Sequence, residues 1–181
     1  MATKATTKQK NSAERKNRRE QRGQQAQGRQ VQGVNAMELL EQDHREVEEL
    51  FDQFDELEND SEKQEMAQKI CMMLTVHAQI EEEIFYPAAR KATGDAELLD
   101  EALVEHAGAK RLVSEIEEME AGEELFDAKV KVLGEQIKHH IREEEEELFP
   151  ELESSKKMDF QVVGAQLMKR KEELLKEMEA A

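Results

Sequence analysis

Apolar side chains recur at intervals of three and four residues in four stretches of the chain, which is the period of a helix with one buried face. The stretches run from Met37 to Phe54, from Ile70 to Ala88, from Leu99 to Ile116 and from Leu133 to Leu148. No stretch alternates apolar and polar residues for long enough to predict a strand. The pattern therefore predicts four amphipathic helices with short connections, packed as an up-down-up-down four-helix bundle.

The residues between these stretches indicate where the helices begin and end. Asn35 and Ser61 are suited to cap the first two helices at their amino ends. Gly94-Asp95 predicts a turn followed by the cap of the third helix. Gly122 is the best candidate for the break before the fourth helix.

A fifth, less regular apolar stripe follows Ser154-Ser155 on a highly charged segment. This segment can either pack on the bundle or support self-association. The sequence thus predicts an all-α protein in three parts, which are a tail over residues 1–34, a four-helix bundle over 35–153 and a C-terminal helix over 154–181. The stripe consists of Phe160, Val163, Leu167, Leu174 and Met178.

One motif occurs twice, near the ends of the second and fourth helices. His77 is followed four residues later by Glu81 and then by Phe85-Tyr86-Pro87; His140 is followed by Glu144 and then by Leu148-Phe149-Pro150. Positions i and i+4 share one face of a helix, so each copy offers an imidazole and a carboxylate from one rigid element. The two prolines lack a backbone N–H and are expected to kink or end their helices.

Two further histidines complete the repeat. His44 precedes His77 by 33 residues, and His106 precedes His140 by 34. This separation suits two positions that face each other in an antiparallel helical hairpin. Packing the two hairpins together would bring the four histidines and the two glutamates of the motif to one level of the bundle.

All six side chains stand where the helical pattern calls for apolar residues. Burying an unpartnered imidazole costs roughly 1–3 kcal/mol and a carboxylate more, so six of them would exceed the usual stability of about 5–15 kcal/mol. Coordination to metal would satisfy the nitrogens and neutralise the carboxylates. The predicted metal ligands are His44, His77, Glu81, His106, His140 and Glu144.

The ligand types also limit the choice of metal. Imidazole and carboxylate without thiolate argue against structural zinc and against an iron–sulfur cluster. They suit iron, with manganese as the second choice. Because carboxylates reach in from two helices, they can bridge two metal ions.

The net charge of −17 argues against a body that binds nucleic acid. Residues 1–34 are the exception, since they hold nine Lys or Arg, two Glu and almost no large apolar side chains. They predict a disordered basic tail. It is either a solvated segment or an arm for nucleic acid or another acidic partner, and the lack of aromatic residues favours the solvated segment.

Cellular location is indicated by two absences in the sequence. The single cysteine, Cys71, cannot form an internal disulfide, which fits a reducing compartment and a buried thiol. No apolar run approaches the length of a membrane span, and the amino terminus lacks the apolar core of a secretory signal. A cytoplasmic protein is therefore expected.

The histidines, glutamates and aromatic-proline motifs described above resemble those of the hemerythrin-like HHE cation-binding domain, over about residues 36–153. The resemblance implies a non-haem di-iron centre in a four-helix bundle. It also implies that the four histidines are terminal ligands and that Glu81 and Glu144 bridge the irons. The fifth helix is similar to the C-terminal extension of bacterial members.

The chain departs from the oxygen-carrying members at one ligand. Those proteins supply a fifth histidine from a His-x-x-x-His pair on the third helix, where this chain has Lys110 after His106. His139 is turned about 100° from its neighbouring motif histidine, so it is expected at the surface. The missing ligand is then water, a second carboxylate such as Glu82 or Glu145, or absent, which leaves a more open site.

The expected function is to bind or sense O₂, or a related small oxidant, through an open iron position. One alternative is an oxidoreductase that acts on peroxide or NO, and another is an iron-storage or structural metal bundle. The absence of an electron-transfer motif weighs against an autonomous enzyme. Tyr86 could tune the centre, but a packing role is favoured for it.

Overall fold

The computed structural model describes residues 33–93 and 96–180, and all regular structure within these ranges is helical. The helices are α1 (Ala36–Asp55), α2 (Asp60–Ile80), α3 (Tyr86–Thr93), α4 (Glu97–Glu117), α5 (Phe126–Glu143), α6 (Phe149–Ser155) and α7 (Phe160–Glu179). Two π-helical segments, π1 (Glu81–Phe85) and π2 (Glu144–Leu148), join α2 to α3 and α5 to α6. The predicted all-α fold is confirmed.

The four long helices α1, α2, α4 and α5 form the bundle, and each packs against its sequence neighbour while α5 closes the ring on α1. Their apolar faces build two separate core clusters. Leu40 belongs to the first cluster and Val47 to the second, and buried His44 lies between them on α1. The core is thus divided by a polar layer.

Helix ends follow the capping residues with one correction. The Asn35 side chain accepts the Met37 N–H at 2.9 Å, as predicted. Ser61 is not the cap of α2; Asn59 caps it, because an asparagine two residues earlier can accept the Ser61 N–H at 2.9 Å. Gly122, with φ +91°, lies in the turn before α5, which confirms the predicted break. The predicted cap at Gly94-Asp95 lies outside the described residues.

The prolines of the repeated motif do not end their helices. Each follows a π-helical segment of five residues, in which the Tyr86 N–H reaches the Glu81 carbonyl and the Phe149 N–H reaches the Glu144 carbonyl. A proline ring normally crowds the carbonyl four residues back, and the wider π turn relieves that crowding. The helices therefore continue through Pro87 and Pro150 into α3 and α6.

The C-terminal helix α7 packs on the bundle, against α1, α2 and π1. Val163, Leu167 and Leu174 of the predicted stripe are buried, whereas Met178 is exposed. Of the two possibilities that the sequence left open, the structure shows packing on the bundle. The predicted tail lies outside the described residues except for Gly33 and Val34, and none of the described helices has both the length and the apolar character to cross a membrane.

Cys71 is expected to resist thiol reagents in the folded protein. It is 1% exposed, and burial, with a smaller contribution from the charge of Glu117, raises its pKa to about 12. The reactive thiolate is therefore almost absent below about pH 11. Alkylation followed by mass spectrometry at pH 8 should show no modification of native protein and complete modification in urea. Rapid labelling under native conditions would contradict this burial.

Candidate metal centre

The polar layer between the two core clusters consists of the six predicted ligands and Asp43. Glu81 is 0%, His44 1% and Glu144 2% exposed. His106 and His140 are equally well buried, and only His77 keeps a little access, with 12% of its side chain exposed. All six predicted residues therefore converge in the interior of the bundle.

The histidines form two pairs, one from each helical hairpin. The Nε2 atoms of His44 and His77 lie 3.2 Å apart, and those of His106 and His140 lie 3.1 Å apart. Each pair joins a residue on the first helix of a hairpin to one on the second, as the sequence spacing predicts. The ring nitrogens that meet are the ones that point towards the centre of the bundle.

The two glutamates lie between these pairs. Glu81 Oε1 is 3.2 Å from His77 Nε2, while its Oε2 is 3.4 Å from His106 Nε2. Glu144 Oε2 lies 3.4 Å from His44 Nε2. The donor atoms fall into two groups, each within 4.8 Å, and Glu81 belongs to both. The groups are His44, His77, Glu81 and Glu144, and Glu81, His106 and His140.

The outer nitrogen of every histidine in the layer faces a carboxylate. The Nδ1 distances are 2.8 Å for His44–Glu145, 2.9 Å for His106–Glu82, 2.8 Å for His140–Glu105 and 3.5 Å for His77–Asp43. A carboxylate accepts the Nδ1 proton, so the Nε2 lone pair is left facing inwards. This is the arrangement by which proteins orient imidazoles towards a metal.

The four outer carboxylates repeat with the motif, although the sequence analysis does not identify them in this role. Asp43 and Glu105 directly precede the first histidine of each half, and Glu82 and Glu145 directly follow the central glutamates. The first two hold the second histidine of their own half, whereas the last two hold the first histidine of the other half. Each of these four carboxylates is adjacent in sequence to a repeated ligand, and this regularity could have identified them from the sequence.

The layer fits a bound cation. Both oxygens of Glu81 and Oε2 of Glu144 are buried and make no hydrogen bond of good geometry within the described part of the chain, although histidine Nε2 atoms lie 3.2–3.4 Å away. The paired Nε2 atoms meet lone pair to lone pair when each Nδ1 carries the proton, which is unfavourable without a positive charge between them. Metal coordination would satisfy the orphaned oxygens and the paired nitrogens together.

Comparison with known families decides the identity of the fold. Residues 35–152 match the model of the hemerythrin HHE cation binding domain. The chain belongs to this family. It is a metal-binding, hemerythrin-like protein, and the layer of histidines and glutamates is its candidate cation site.

Two individual proteins are similar to this hemerythrin-like chain. The crystal structure of a hemerythrin HHE cation binding domain-containing protein from Mycobacterium kansasii superposes with a TM-score of 0.67 at 24% identity, over 78% of this chain and 87% of that one. A DNA nickase from Nostoc sp. is 35% identical over 92 residues, which are 50% of this chain. The match spans only 26% of the nickase. The first likeness supports the fold alone.

The buried carboxylates of the hemerythrin-like site attract positive charge. Burial opposes the charged form of His77, but the charge of Glu81 outweighs it and raises the pKa of His77 to about 10. Burial opposes the charge on His140 in the same way, and Glu144 helps to raise its pKa to about 8. Without metal, protons on these histidines therefore balance the negative charges of Glu81 and Glu144. Bound cations would take over this role.

Tyr86 belongs to the site rather than only to the packing around it. Its hydroxyl donates to Glu144 Oε1 at 2.9 Å and lies 3.2 Å from His106 Nε2. Burial, and then the charge of Glu144, raise its pKa well above the usual value, so the proton stays on the phenol. The packing role favoured from the sequence therefore does not account for all the contacts of Tyr86.

His139 lies outside the layer. It is 49% exposed and pairs with Glu143 at 3.1 Å, as expected for a surface residue.

Among the described residues, three cavities reach histidines of the layer. One, of about 30 Å³, lies beside His77 and is also lined by α7. The other two differ in size. The smaller, of about 30 Å³, is lined by all four histidines and by apolar side chains such as Val47, Val113 and Ile137, with Lys110 also in its wall. The larger, of about 280 Å³, lies between α4 and α5 and reaches His106 and His140. Glu82 and Glu145, considered as replacements for the missing fifth histidine, contact Nδ1 atoms instead.

Proposed function

We propose that this domain holds two iron ions and binds or senses O₂, or a related small oxidant, through an open iron position. The doubled donor set carries the proposal, because two pairs of Nε2 atoms share Glu81 between them. In this assignment the four histidines would be terminal ligands, and Glu81 and Glu144 would hold the two ions together. Manganese is the second choice, since both metals accept imidazole and carboxylate.

The choice of iron is supported by the donor types and by the position of the only cysteine. Every donor atom in the layer is a nitrogen or a carboxylate oxygen. Cys71 is buried in the second core cluster and belongs to neither donor group. Iron, when bound, would supply electrons to a small oxidant. The protein would hold the metal pair, keep the outer protons on the Nδ1 atoms and limit access of water.

The small cavity supports an open position for a ligand of a few atoms. Its volume of about 30 Å³ suits one molecule the size of water, and its walls beyond the histidines are mainly apolar. Lys110 extends away from the layer to Glu82, with its Nζ 2.6 Å from Oε2, so it does not fill the position that a fifth histidine would take. A neutral diatomic molecule fits such a space better than a bulky or charged substrate.

Iron-replete expression followed by metal analysis and absorption spectroscopy tests this proposal. Two irons per chain are expected, with a spectral change on addition of O₂, NO or peroxide. Fewer than one metal per chain would refute the proposal. Two irons without a spectral response would instead support iron storage or a structural bundle, and continuous consumption of peroxide or NO with an added reductant would support the oxidoreductase.

DNA nicking is a second candidate function. The 92-residue match to the protein named as a DNA nickase favours it, as do the nine Lys or Arg in residues 1–34. The charge of −24 on the remaining residues weighs against it, because phosphates would be repelled. Incubation of metal-loaded protein with supercoiled plasmid tests for DNA nicking and so distinguishes this candidate from the binding of a small oxidant. Nicked circles that disappear with Glu81→Gln, but persist with Glu83→Gln, would favour this candidate.

A further inference from the structure

The two halves of the site differ in how firmly their outer carboxylates hold the second histidine. Glu105 lies 2.8 Å from His140 Nδ1, whereas Asp43, in the equivalent position, lies 3.5 Å from His77 Nδ1. The other oxygen of Asp43 forms an ion pair with Lys171. Asp43 therefore shares its charge between His77 and a lysine. In the same half Glu145 shares its charge between His44 and Arg45. In the other half, within the described residues, only Glu82 has such a partner, since it holds His106 and pairs with Lys110.

Lys171 comes from the C-terminal helix α7, which contacts one half of the site. Lys171 and Leu175 line the cavity of about 30 Å³ beside His77. Arg170, the neighbour of Lys171, fixes α7 to π1 through a contact of 2.7 Å with Glu83. The cavity beside the other histidine pair is about 280 Å³ and has no α7 residue in its wall. The His44/His77 half is thus in contact with α7 and has two cationic side chains on its outer carboxylates, although 12% of the His77 side chain stays exposed; the His106/His140 half has one such side chain.

We propose that the two cation positions fill in order, with the His106/His140 position first, and that α7 sets this order through Lys171. The inference rests on the proposed dinuclear site. A carboxylate that accepts the Nδ1 proton makes an imidazole a stronger ligand, and sharing that carboxylate with an ammonium weakens the effect. The lysine charge also opposes a cation at the His44/His77 position. Both effects act in the same direction.

The order gives the C-terminal helix a role beyond packing. Lys171 does not approach the metal itself; it acts through Asp43 and His77, and is therefore a positioning residue. At low metal supply the protein would hold one cation, in the His106/His140 half. The dinuclear form would need enough metal to fill the His44/His77 half as well.

Titration of the metal-free, full-length protein with Co²⁺, followed by absorption spectroscopy and calorimetry, tests the inference. The wild-type protein should bind two cations in two resolved steps. Lys171→Gln should tighten the second step about tenfold and leave the first unchanged, since changes in outer residues alter metal affinity by about 10- to 100-fold. Lys169→Gln is the matched control, because Lys169 is 79% exposed on the same helix and pairs only loosely with Glu173.

A second pair of variants assigns the steps. His77→Ala should remove the weaker step, and Lys171→Gln should then have no further effect. Asp43→Asn should weaken the second step, which provides an independent result should Lys171→Gln fold poorly. Two cations bound with equal affinity, or an equal effect of Lys171→Gln on both steps, would overturn the ordered filling while leaving the dinuclear site intact. Binding of a single cation would refute the proposed function itself.

Discussion

Glu81→Gln is expected to reduce bound iron from two ions to at most one per chain. The two Glu81 oxygens each approach a histidine of a different pair, at 3.2 Å from His77 and 3.4 Å from His106. An amide keeps the shape but loses the charge and one of the two oxygens that a bridge needs. Metal analysis after iron-replete expression and gel filtration measures the result directly.

The matched control is Glu83→Gln, two residues further along π1. Glu83 is 41% exposed and pairs with Arg170 on α7, so this variant removes a carboxylate and one α7 contact from the same segment but no donor atom of the layer. It should retain both irons. Metal in hundredfold excess over its dissociation constant should add about 2.7 kcal/mol to stability for each occupied site. The wild type and Glu83→Gln should gain this for two sites, and Glu81→Gln for one at most. Two tightly held irons in Glu81→Gln would exclude the bridging role.

The fold could be predicted because its signals are local and repeated. Apolar side chains at helical spacing mark each of the four bundle helices, and the helix breaks coincide with Asn59 and Gly122. The six predicted site residues were recognisable for the same reason, since each is a polar side chain in an apolar stripe. Facing positions in a hairpin then bring them together without any knowledge of loop geometry.

Tyr86 shows where this reasoning stops. It follows His77 by nine residues, so a regular α-helix would place it about 180° away, on the opposite face. The π1 segment contains one additional residue in its turn, and this rotates the following residues by about 100°. The hydroxyl consequently reaches Glu144 in the layer. Periodicity assumes a constant twist, and a π segment breaks that assumption at the point where the site begins.

The run of glutamates in π2 presents a related difficulty. Glu143–Glu147 are chemically identical, and only Glu144 and Glu145 are considered as metal ligands from the sequence. Glu145 accepts the Nδ1 proton of His44 and belongs to neither donor group of the layer. Which glutamate of such a run faces the core depends on the local helix type, which composition does not reveal. The role of Asp43 is equally hard to predict from the sequence, because its partner Lys171 reaches it only through the packing of α7.

Gly164→Ala is expected to destabilise the metal-free protein by about 1–3 kcal/mol, through the docking of α7. A Cβ atom at this position would lie 1.9 Å from the Val34 carbonyl oxygen and 2.8 Å from the Ala36 nitrogen. Both are backbone atoms at the start of α1, so they cannot move aside as a flexible side chain can. The helix must therefore shift outwards, which would loosen the contacts of buried Leu167. Urea denaturation followed by circular dichroism measures the loss.

Gly108→Ala provides the matched control, because it makes the same chemical change in a helix with space for the methyl group. Its Cβ would lie 3.7 Å from the nearest atom, Oε1 of Gln136, which is an ordinary contact. Alanine is favoured over glycine within a helix by about 0.5–1 kcal/mol, so this variant should be slightly more stable than the wild type. A loss of stability in Gly164→Ala together with a gain in Gly108→Ala would establish that α7 packs directly on the backbone at the start of α1. A gain in stability at both positions would mean that α7 packs less closely than the distances to Val34 require.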